Sequence, residues 1–353
     1  MIRAGSTRVV LVHWRSKSVG DYEKPLNSLR SGKRTRYYKM PEVSVVIPSF
    51  NGKEFLKVCL PSLGRQTYKD FETVVIDNGS NDGTVEFLES NYPRARLVKN
   101  RENLGFAAAV NQGIRVSRGE YIALLNNDTE ADKNWLKELV QTLKQRKDIS
   151  FCASKMLNFY NRKIIDSAGD GWSMRFMQGY NVGKDVEDGP AYSKEKLVFG
   201  ACAGAALYRK TLFKMIGLLD ERFFAYFEDV DLNFRAQLAG LRCLYIPTAV
   251  VYHMWSATTQ RRNALKRFLT LRNRIIVVLK NMPLPLIVAN LKSFTRIAFL
   301  APFRILLEHP KNFYLLFLLY FQLLIWLPSI VRDRLKTQRM RKVSVKELVK
   351  ALV

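Results

Sequence analysis

The 353-residue sequence predicts an α/β fold: a Rossmann-like, mainly parallel sheet flanked by helices, followed by a helical, membrane-associated C-terminal region. Three observations predict it. Apolar, β-branched runs at 43–47, 71–76 and 121–125 have the length of buried strands. Helical patterns alternate with them, which implies parallel pairing through right-handed crossovers. Each run also ends in a polar tip: Pro48-Ser49-Phe50-Asn51, Asp77-Asn78-Gly79-Ser80 and Asn126-Asn127-Asp128. Parallel pairing lines those tips along one edge, where open α/β sheets bind ligands.

In chain order, the strand at 43–47 leads into a helix from Lys53 to about Gln66. A second strand ends at Asp77, and a second helix begins near Asp82. A short strand at 96–99 precedes a small-residue helix at 104–116. The strand at 121–125 ends at Asp128, and a helix is expected from about Asp132. Residues 150–200 read as loops around short strands. A small-residue strand is expected at 197–208, a helix at 209–216, a helix after Asp231, and strands at 242–246 and 250–253. The first strand is not followed by Gly-x-Gly-x-x-Gly, and there is no Gly-Lys-Ser/Thr, so dinucleotide and P-loop chemistries are not expected.

Hydrophobic residues make up 48% of the chain, enough for one large domain or two small ones. The 57 Lys and Arg exceed the 31 Asp and Glu, a net charge of +26 that calls for an anionic partner. That charge lies mainly in the tails, and no zinc, helix-turn-helix or ribonucleoprotein signature accompanies it. A nucleic-acid-binding protein is therefore the alternative, and an anionic membrane surface or a phosphorylated ligand the expectation. Cys59, Cys152, Cys202 and Cys243 lack metal-ligand spacing and read as reduced, mostly buried thiols. Residues 1–40 are basic, carry one candidate strand at 9–12, and lack the apolar core of a signal peptide.

Chemistry concentrates in Asp77, Asp128, the cluster Glu228-Asp229-x-Asp231, and His253, which follows an apolar strand. Taken singly, each has an ordinary reading as a turn acid, a helix cap, a helix-start acid or a packed histidine. Asp231 is expected to cap a helix or pair with Arg235. The ordered set is more specific: Val45-Val-Ile-Pro-Ser-Phe-Asn51, Val75-Ile-Asp-Asn-Gly-Ser80, Asn103-Leu-Gly-Phe-Ala-Ala-Ala-Val-Asn111, Leu124-Leu-Asn-Asn-Asp128, the small-residue run 200–206, the run 223–232, and His253.

With these motifs the sequence resembles the inverting, nucleotide-sugar-dependent glycosyltransferases of family two, which have the GT-A fold, and most nearly their rhamnosyltransferase-like branch. The resemblance covers residues 43–258. It implies that Pro48, Ser49, Asn51, Asp77, Asn103, Gly105, Asn111, Asn127 and Asp128 bind the nucleotide-sugar donor, with Asp77 reading a pyrimidine base. It implies a divalent cation, Mg²⁺ or Mn²⁺, held by Asp128 and His253. Asn126 stands where the family's metal motif has its first acid, so this strand offers one carboxylate rather than two. Asp229 matches the catalytic base, with Glu228 beside it to bind the acceptor or position the base. The chain lacks the Gln-x-x-Arg-Trp motif of the processive synthases, which implies single addition. The implied function is transfer of a sugar, rhamnose from a thymidine-diphosphate donor being the favoured guess, to a saccharide or polyprenyl-linked acceptor in cell-surface polysaccharide assembly. A catalytically inactive scaffold of the same fold is the other alternative.

The expected organisation is a basic extension at 1–40, the transferase domain at 41–258, and a membrane-associating region at 259–353. In the last of these, residues 261–275 read as a basic amphipathic helix. Residues 284–307 are too interrupted by charges and prolines to span a bilayer. Residues 313–331 are nearly all apolar and approach the length of a span. The expected location is the cytoplasmic face of the membrane, where nucleotide sugars are found.

Overall fold

The alternation of strands and helices is realised in the computed structural model, which describes residues 39–254, 264–308 and 314–352. The extension at 1–38, its candidate strand, and Arg261 and Arg262 lie outside the described residues.

The sheet contains β1 (Val43–Ser49), β2 (Phe71–Asp77), β3 (Arg96–Lys99), β4 (Tyr121–Leu125), β5 (Thr129–Ala131), β6 (Ile149–Asn158), β7 (Ile165–Ser167), β10 (Lys196–Val198), β11 (Ala205–Arg209) and β12 (Arg242–His253). Its order is β10-β12-β6-β11-β4-β1-β2-β3, with β5 beside β12 and β7 beside β6. Strands β8 (Asp170–Ser173) and β9 (Gln178–Asn181) form a separate hairpin. The β3, β2, β1 and β4 strands are mutually parallel, as are β6 and β12, whereas β11 runs antiparallel between β4 and β6.

The central strands are apolar at every position because both faces are covered. Val43, Val45 and Ile47 face one core, packed with α1 (Lys53–Gly64) and α4 (Trp135–Gln145). Val46, Val74, Ile76 and Leu124 face the other, packed with α3 (Phe106–Val116), α5 (Lys210–Ile216) and α6 (Glu228–Leu238). The short α2 (Thr84–Asn91) connects β2 to β3. Burying each such Val, Leu or Ile contributes about 1.5–3 kcal/mol.

Several boundaries differ from the sequence reading. The stretch expected to be irregular holds the ten-residue β6, which lies in the middle of the sheet. The expected strand at 197–208 is two strands, β10 and β11, separated by a turn at 199–204. The strands expected at 242–246 and 250–253 are one, β12, with a bulge between Ile246 and Val250. The helix after Asp128 starts only at Trp135, since Thr129–Ala131 pairs with β12 first.

Beyond the sheet, α7 (Ala264–Asn281) was expected to be a membrane-surface helix. Instead it buries Phe268, Leu269, Leu271 and Ile275 in a third core with Phe223, Val230 and Phe234. Period alone could not reveal this, because an amphipathic face looks the same whether it meets lipid or protein. Residues 284–308 break into α8 (Leu284–Ala289), α9 (Leu291–Thr295), a π-turn (Arg296–Leu300) and α10 (Ala301–Glu308). The apolar run continues as one 26-residue helix, α11 (Tyr314–Arg339), through Pro328. The chain closes with α12 (Val345–Leu352), whose Leu348 and Leu352 are buried in the third core.

Candidate active-site crevice

The parallel register brings the strand tips side by side. Ser49 lies opposite Asp77 in register, and Asn78 N–H donates to the Ser49 carbonyl (2.8 Å). Asn127 Nδ2 donates to Ser49 Oγ (3.0 Å), joining β1 to the tip of β4. Pro48 stands opposite Ile76. Asn51 takes a left-handed conformation (φ 47°), which Asn tolerates better than most residues. Its amide N–H donates to Ser80 Oγ and its Oδ1 accepts from Asn81 N–H. The next residue must be small: a Cβ on Gly52 would lie 2.1 Å from Asn127 Nδ2 and 2.5 Å from Ser49 Oγ. Asp77 is almost fully buried. Its Oδ2 accepts from Ser80 N–H (3.1 Å), while its buried Oδ1 has no hydrogen-bond partner. A buried acceptor left unpaired is costly, so this oxygen is suited to a donor brought by a ligand.

Asn103 and Gly105 adjoin this turn. Asn78 Nδ2 donates to Asn103 Oδ1 (2.9 Å) and to the Gly105 carbonyl (3.1 Å), and Asn103 Oδ1 also accepts from Gly105 N–H (2.9 Å). Gly105 has φ +88°, and a Cβ there would lie 2.5 Å from the Phe224 carbonyl oxygen. That carbonyl accepts from Phe106 N–H (2.6 Å) at the start of α3. Gly105→Ala is therefore expected to destabilise the protein by about 1–3 kcal/mol, since this backbone region is open essentially to glycine alone. Urea unfolding measures the loss, and a change within error would refute the tight approach. Asn111 is not brought to the crevice. Its buried carboxamide is engaged by Leu219, as donor (2.9 Å) and acceptor (3.0 Å), and donates to Glu221 (2.8 Å), so it clamps the 219–221 segment instead.

At the tip of β4, Asp128 Oδ1 lies 3.2 Å from His253 Nε2. The pairing of β12 with β5 sets this geometry, since His253 lies opposite Thr129 and Met254 N–H donates to the Asp128 carbonyl (2.9 Å). The other imidazole nitrogen, Nδ1, is 2.8 Å from Asp166 Oδ2, and Asp166 Oδ1 is 2.9 Å from Lys184. Burial disfavours charge on His253, but the hydrogen bonds to Asp128 and Asp166 outweigh it and push its pKa up to about 9. Burial likewise works against ionised Asp166, yet His253 and Lys184 hold it below the usual carboxylate range.

Among the described residues no three His, Cys, Asp or Glu side chains converge as a metal site. Asp128 and His253 lie together at the tip of β4, and their separation suits two ligands of one ion with further ligands supplied by a phosphorylated substrate. The contact from Asp166 to Nδ1 is the second partner that metal-bound histidines usually have, and an ion would displace the Nε2 proton that the imidazole shares with Asp128.

The remaining acids lie at the N terminus of α6. Glu228 is buried, with Oε2 unpaired, and burial together with the charge of Asp229 pushes its pKa up to about 8. Asp229 is half-buried. Burial raises its pKa, opposed by backbone N–H donation from Ala203 to Oδ2 (3.2 Å) and from Val230 to Oδ1 (2.8 Å). The Ala203 contact ties it to the crevice, because the adjacent Gly204 carbonyl accepts from Asn126 N–H (2.9 Å). Asp170 lies close enough for the charge of Asp229, after burial itself, to push its pKa well up. Of the three, Asp229 alone accepts from the backbone at both oxygens. Burial thus raises all three acids, and at Asp229 the two backbone N–H bonds oppose that rise. Asp231 is spent on structure, ion-paired to Arg235 (2.8 Å) and Lys280 (2.9 Å).

The loop before Glu228 is strained: Phe224, Tyr226 and Phe227 have φ 61°, 70° and 71°. Each such residue costs about 1–3 kcal/mol and persists only where its surroundings over-determine it. The sequence reading missed this loop's conformation and the roles of Asp166, Asp170 and Lys184. The acids at 166 and 170 were visible, but their glycine-rich setting reads as a surface turn. Only the pairing of β7 with β6, and of Asp170 with Gly200, turns them inward.

Residues 44–217 match the family model Glycosyl transferase family 2. Chondroitin synthase of Escherichia coli is 32% identical over 162 residues, 45% of this chain and 21% of that protein. Putative glycosyltransferase EpsH of Bacillus subtilis is 25% identical over 226 residues, 60% of each chain. The chain thus spans between about a fifth and three fifths of the length of these relatives. Among solved structures, GalNAc-T7 with UDP, GalNAc and Mn²⁺ superposes with a TM-score of 0.56 at 19% identity, over 69% of this chain and 48% of that one. The fold is the Rossmann-like GT-A type, with a mostly parallel sheet flanked by helices.

Proposed function

We propose that this chain transfers a single sugar from a nucleotide-diphosphate sugar to a saccharide or polyprenyl-linked saccharide hydroxyl, with inversion, in cell-surface polysaccharide assembly. One observation carries this reading. Asp229, whose two carboxylate oxygens both accept backbone N–H bonds, is tied through Ala203 and Gly204 to the same strand tip that pairs Asp128 with His253. A base and a diphosphate site thus share one crevice.

In this reading the nucleoside lies over Pro48, Ser49 and Asn51, and the unpaired Asp77 Oδ1 accepts from a base N–H, which favours uracil or thymine over cytosine. Asn103 and Gly105 shape the donor pocket, and Asn127 fixes its floor through Ser49. Asp128 and His253 would hold Mg²⁺ or Mn²⁺, which neutralises charge on a diphosphate leaving group. Asp229 takes the proton of the acceptor hydroxyl as its oxygen bonds to the anomeric carbon. The bond from that carbon to the diphosphate breaks on the opposite face, so one base suffices and no covalent intermediate forms. Glu228, protonated near neutrality, can donate to the acceptor without repelling Asp229.

Among donors, thymidine-diphosphate-rhamnose remains the favoured guess, resting on the sequence resemblance. The test is a panel of nucleotide sugars with a saccharide acceptor, scored for nucleoside diphosphate release with and without Mn²⁺. Release from one donor, dependent on acceptor, is expected. The absence of release from every donor would favour an inactive scaffold.

A further expectation concerns the ion. Asp128→Ala and His253→Ala are each expected to weaken Mn²⁺-dependent binding of the nucleoside diphosphate, and the double variant to be little worse than either. Side chains sharing one ion act as a unit, so their losses do not add. Calorimetric titration reads this, and full additivity would count against a shared site.

The location proposed is the cytoplasmic face of the membrane, with anionic lipid as partner. Among the described residues one helix, α11, is long and apolar enough to cross a membrane, with a mean hydropathy of 2.0 over its most apolar window. In its first half Phe317, Phe321, Leu324 and Ile325 are exposed, and so are Leu300, Phe303 and Leu307 before it. Lys292, Arg296, Arg332 and Lys336 flank this surface and suit anionic headgroups.

A further inference from the structure

The strained loop ahead of Glu228 is held from a place that neither the family domain nor the strand tips supply. Helix α7 lies beyond the matched residues 44–217, yet its Asn273 is completely buried against the loop. Asn273 Nδ2 lies 3.0 Å from the Phe223 carbonyl, 2.9 Å from that of Ala225 and 2.7 Å from that of Tyr226. One amide group thus gathers three backbone acceptors across the stretch where φ turns positive. Its orientation is fixed from behind, because Asn273 Oδ1 accepts from Arg272 Nε (3.0 Å). Arg272 in turn donates to the Arg222 and Phe223 carbonyls and to Gln322 of α11, and its guanidinium lies 5.1 Å from the Trp326 ring centre. On the other side of the loop, Phe106 N–H fixes the Phe224 carbonyl. The loop is therefore pinned between the donor-side helix α3 and the C-terminal helix α7.

We propose that Asn273 is a positioning residue for transfer, setting the backbone that aims Asp229 and Glu228 without itself touching substrate. This rests on the reading of Asp229 as the base. It follows that the C-terminal region builds part of the active site as well as providing an apolar surface. Without the amide, the Ala225 and Tyr226 carbonyls lose its donation, while the Phe223 carbonyl keeps Arg272. Loss of the amide lets the loop relax towards ordinary φ and carries Asp229 off line.

The test compares two variants of the full chain in the same helix. Asn273→Ala removes the clamp. Val277→Ala removes apolar packing at a fully buried position that makes no hydrogen bond to the loop, so it controls for destabilisation. Asn273→Ala is expected to lower kcat by about 10–100-fold, the range a displacement near 1 Å can produce, with nucleoside diphosphate affinity unchanged. Val277→Ala is expected to lower Tm by a similar amount and leave kcat near that of the parent. Equal kcat losses in the two variants, or a loss of diphosphate affinity in Asn273→Ala matching its loss in kcat, would overturn the proposal. Hydrogen exchange at residues 224–231 reads the clamp without catalysis. Faster exchange there in Asn273→Ala but not in Val277→Ala is expected even if the assignment of Asp229 fails, and unchanged exchange would overturn the proposal on its own.

Discussion

Asp229→Asn is expected to lower turnover by about 10²–10⁴ under saturating donor, the usual contribution of a general base. The substitution is nearly isosteric, and the carboxamide oxygen can still accept one of the N–H bonds from Ala203 and Val230. The fold and the donor pocket should therefore survive, and nucleoside diphosphate affinity by calorimetry should match the parent. What is lost is the proton acceptor. In the parent, Glu228 holds its own proton up to about 8, raised by burial and by the charge of Asp229. Removing the charge at 229 removes that repulsion, so the Glu228 pKa should fall in the variant. Some recovery of rate as pH rises through this lowered value is then the expected signature of a misplaced second base. A variant that keeps more than half its turnover would remove Asp229 from the mechanism and leave the crevice without a base.

How much of this was legible in the sequence depends on what each feature needs. Strands β1, β2 and β4 were readable because burial on both faces leaves a continuous apolar run ending at a polar tip, and parallel register then groups Ser49, Asp77 and Asp128. Strand β6 was not, since its Ser154, Lys155 and Asn158 break the run. Lys155 is buried only because Asp188, 33 residues away, pairs with it (2.8 Å). The link of His253 to Asp128 followed from the family pattern, but Asp166 behind it depends on a register no local signal encodes. Asn111 shows the opposite error: a polar residue placed near the donor by the family resemblance, whose partners, Leu219 and Glu221, lie a hundred residues on and use it for scaffolding. The largest correction concerns α7. Its basic, apolar periodicity fits a membrane helix, yet Arg272 is buried among carbonyls and an aromatic ring, which only the tertiary structure supplies.

The last expectation concerns how the chain meets the bilayer. Combined replacement of Phe317, Phe321, Leu324 and Ile325 by Ser is expected to release the protein from anionic vesicles. These side chains are exposed, Phe317 at 78% and Leu324 at 69%, so their loss leaves the protein core untouched. Each apolar side chain of this size contributes about 1.5–3 kcal/mol on leaving water, so four together change partition by at least about 10⁴. The second half of α11 is held by the protein itself. Asp333 pairs with Arg222, Arg334 Nη1 donates to the Leu279 and Met282 carbonyls, and Gln338 Nε2 donates to the Asn281 carbonyl. After it, α12 packs Leu348 and Leu352 into the core shared with α6 and α7. A helix whose C-terminal half and following helix both dock on the α/β unit cannot also deliver the chain to the far side of the membrane. Basic flanks on both sides of the apolar segment agree, since a single crossing would place one of them outside. The helix is therefore expected to lie in the interface, on the side where the donor is found. A single cysteine at Lys350, in a background lacking the four native cysteines, should resist an impermeant maleimide in intact cells and react after permeabilisation. Labelling from outside would establish a true span and defeat this topology. Release of the unaltered protein by high salt alone would leave the apolar surface without a role.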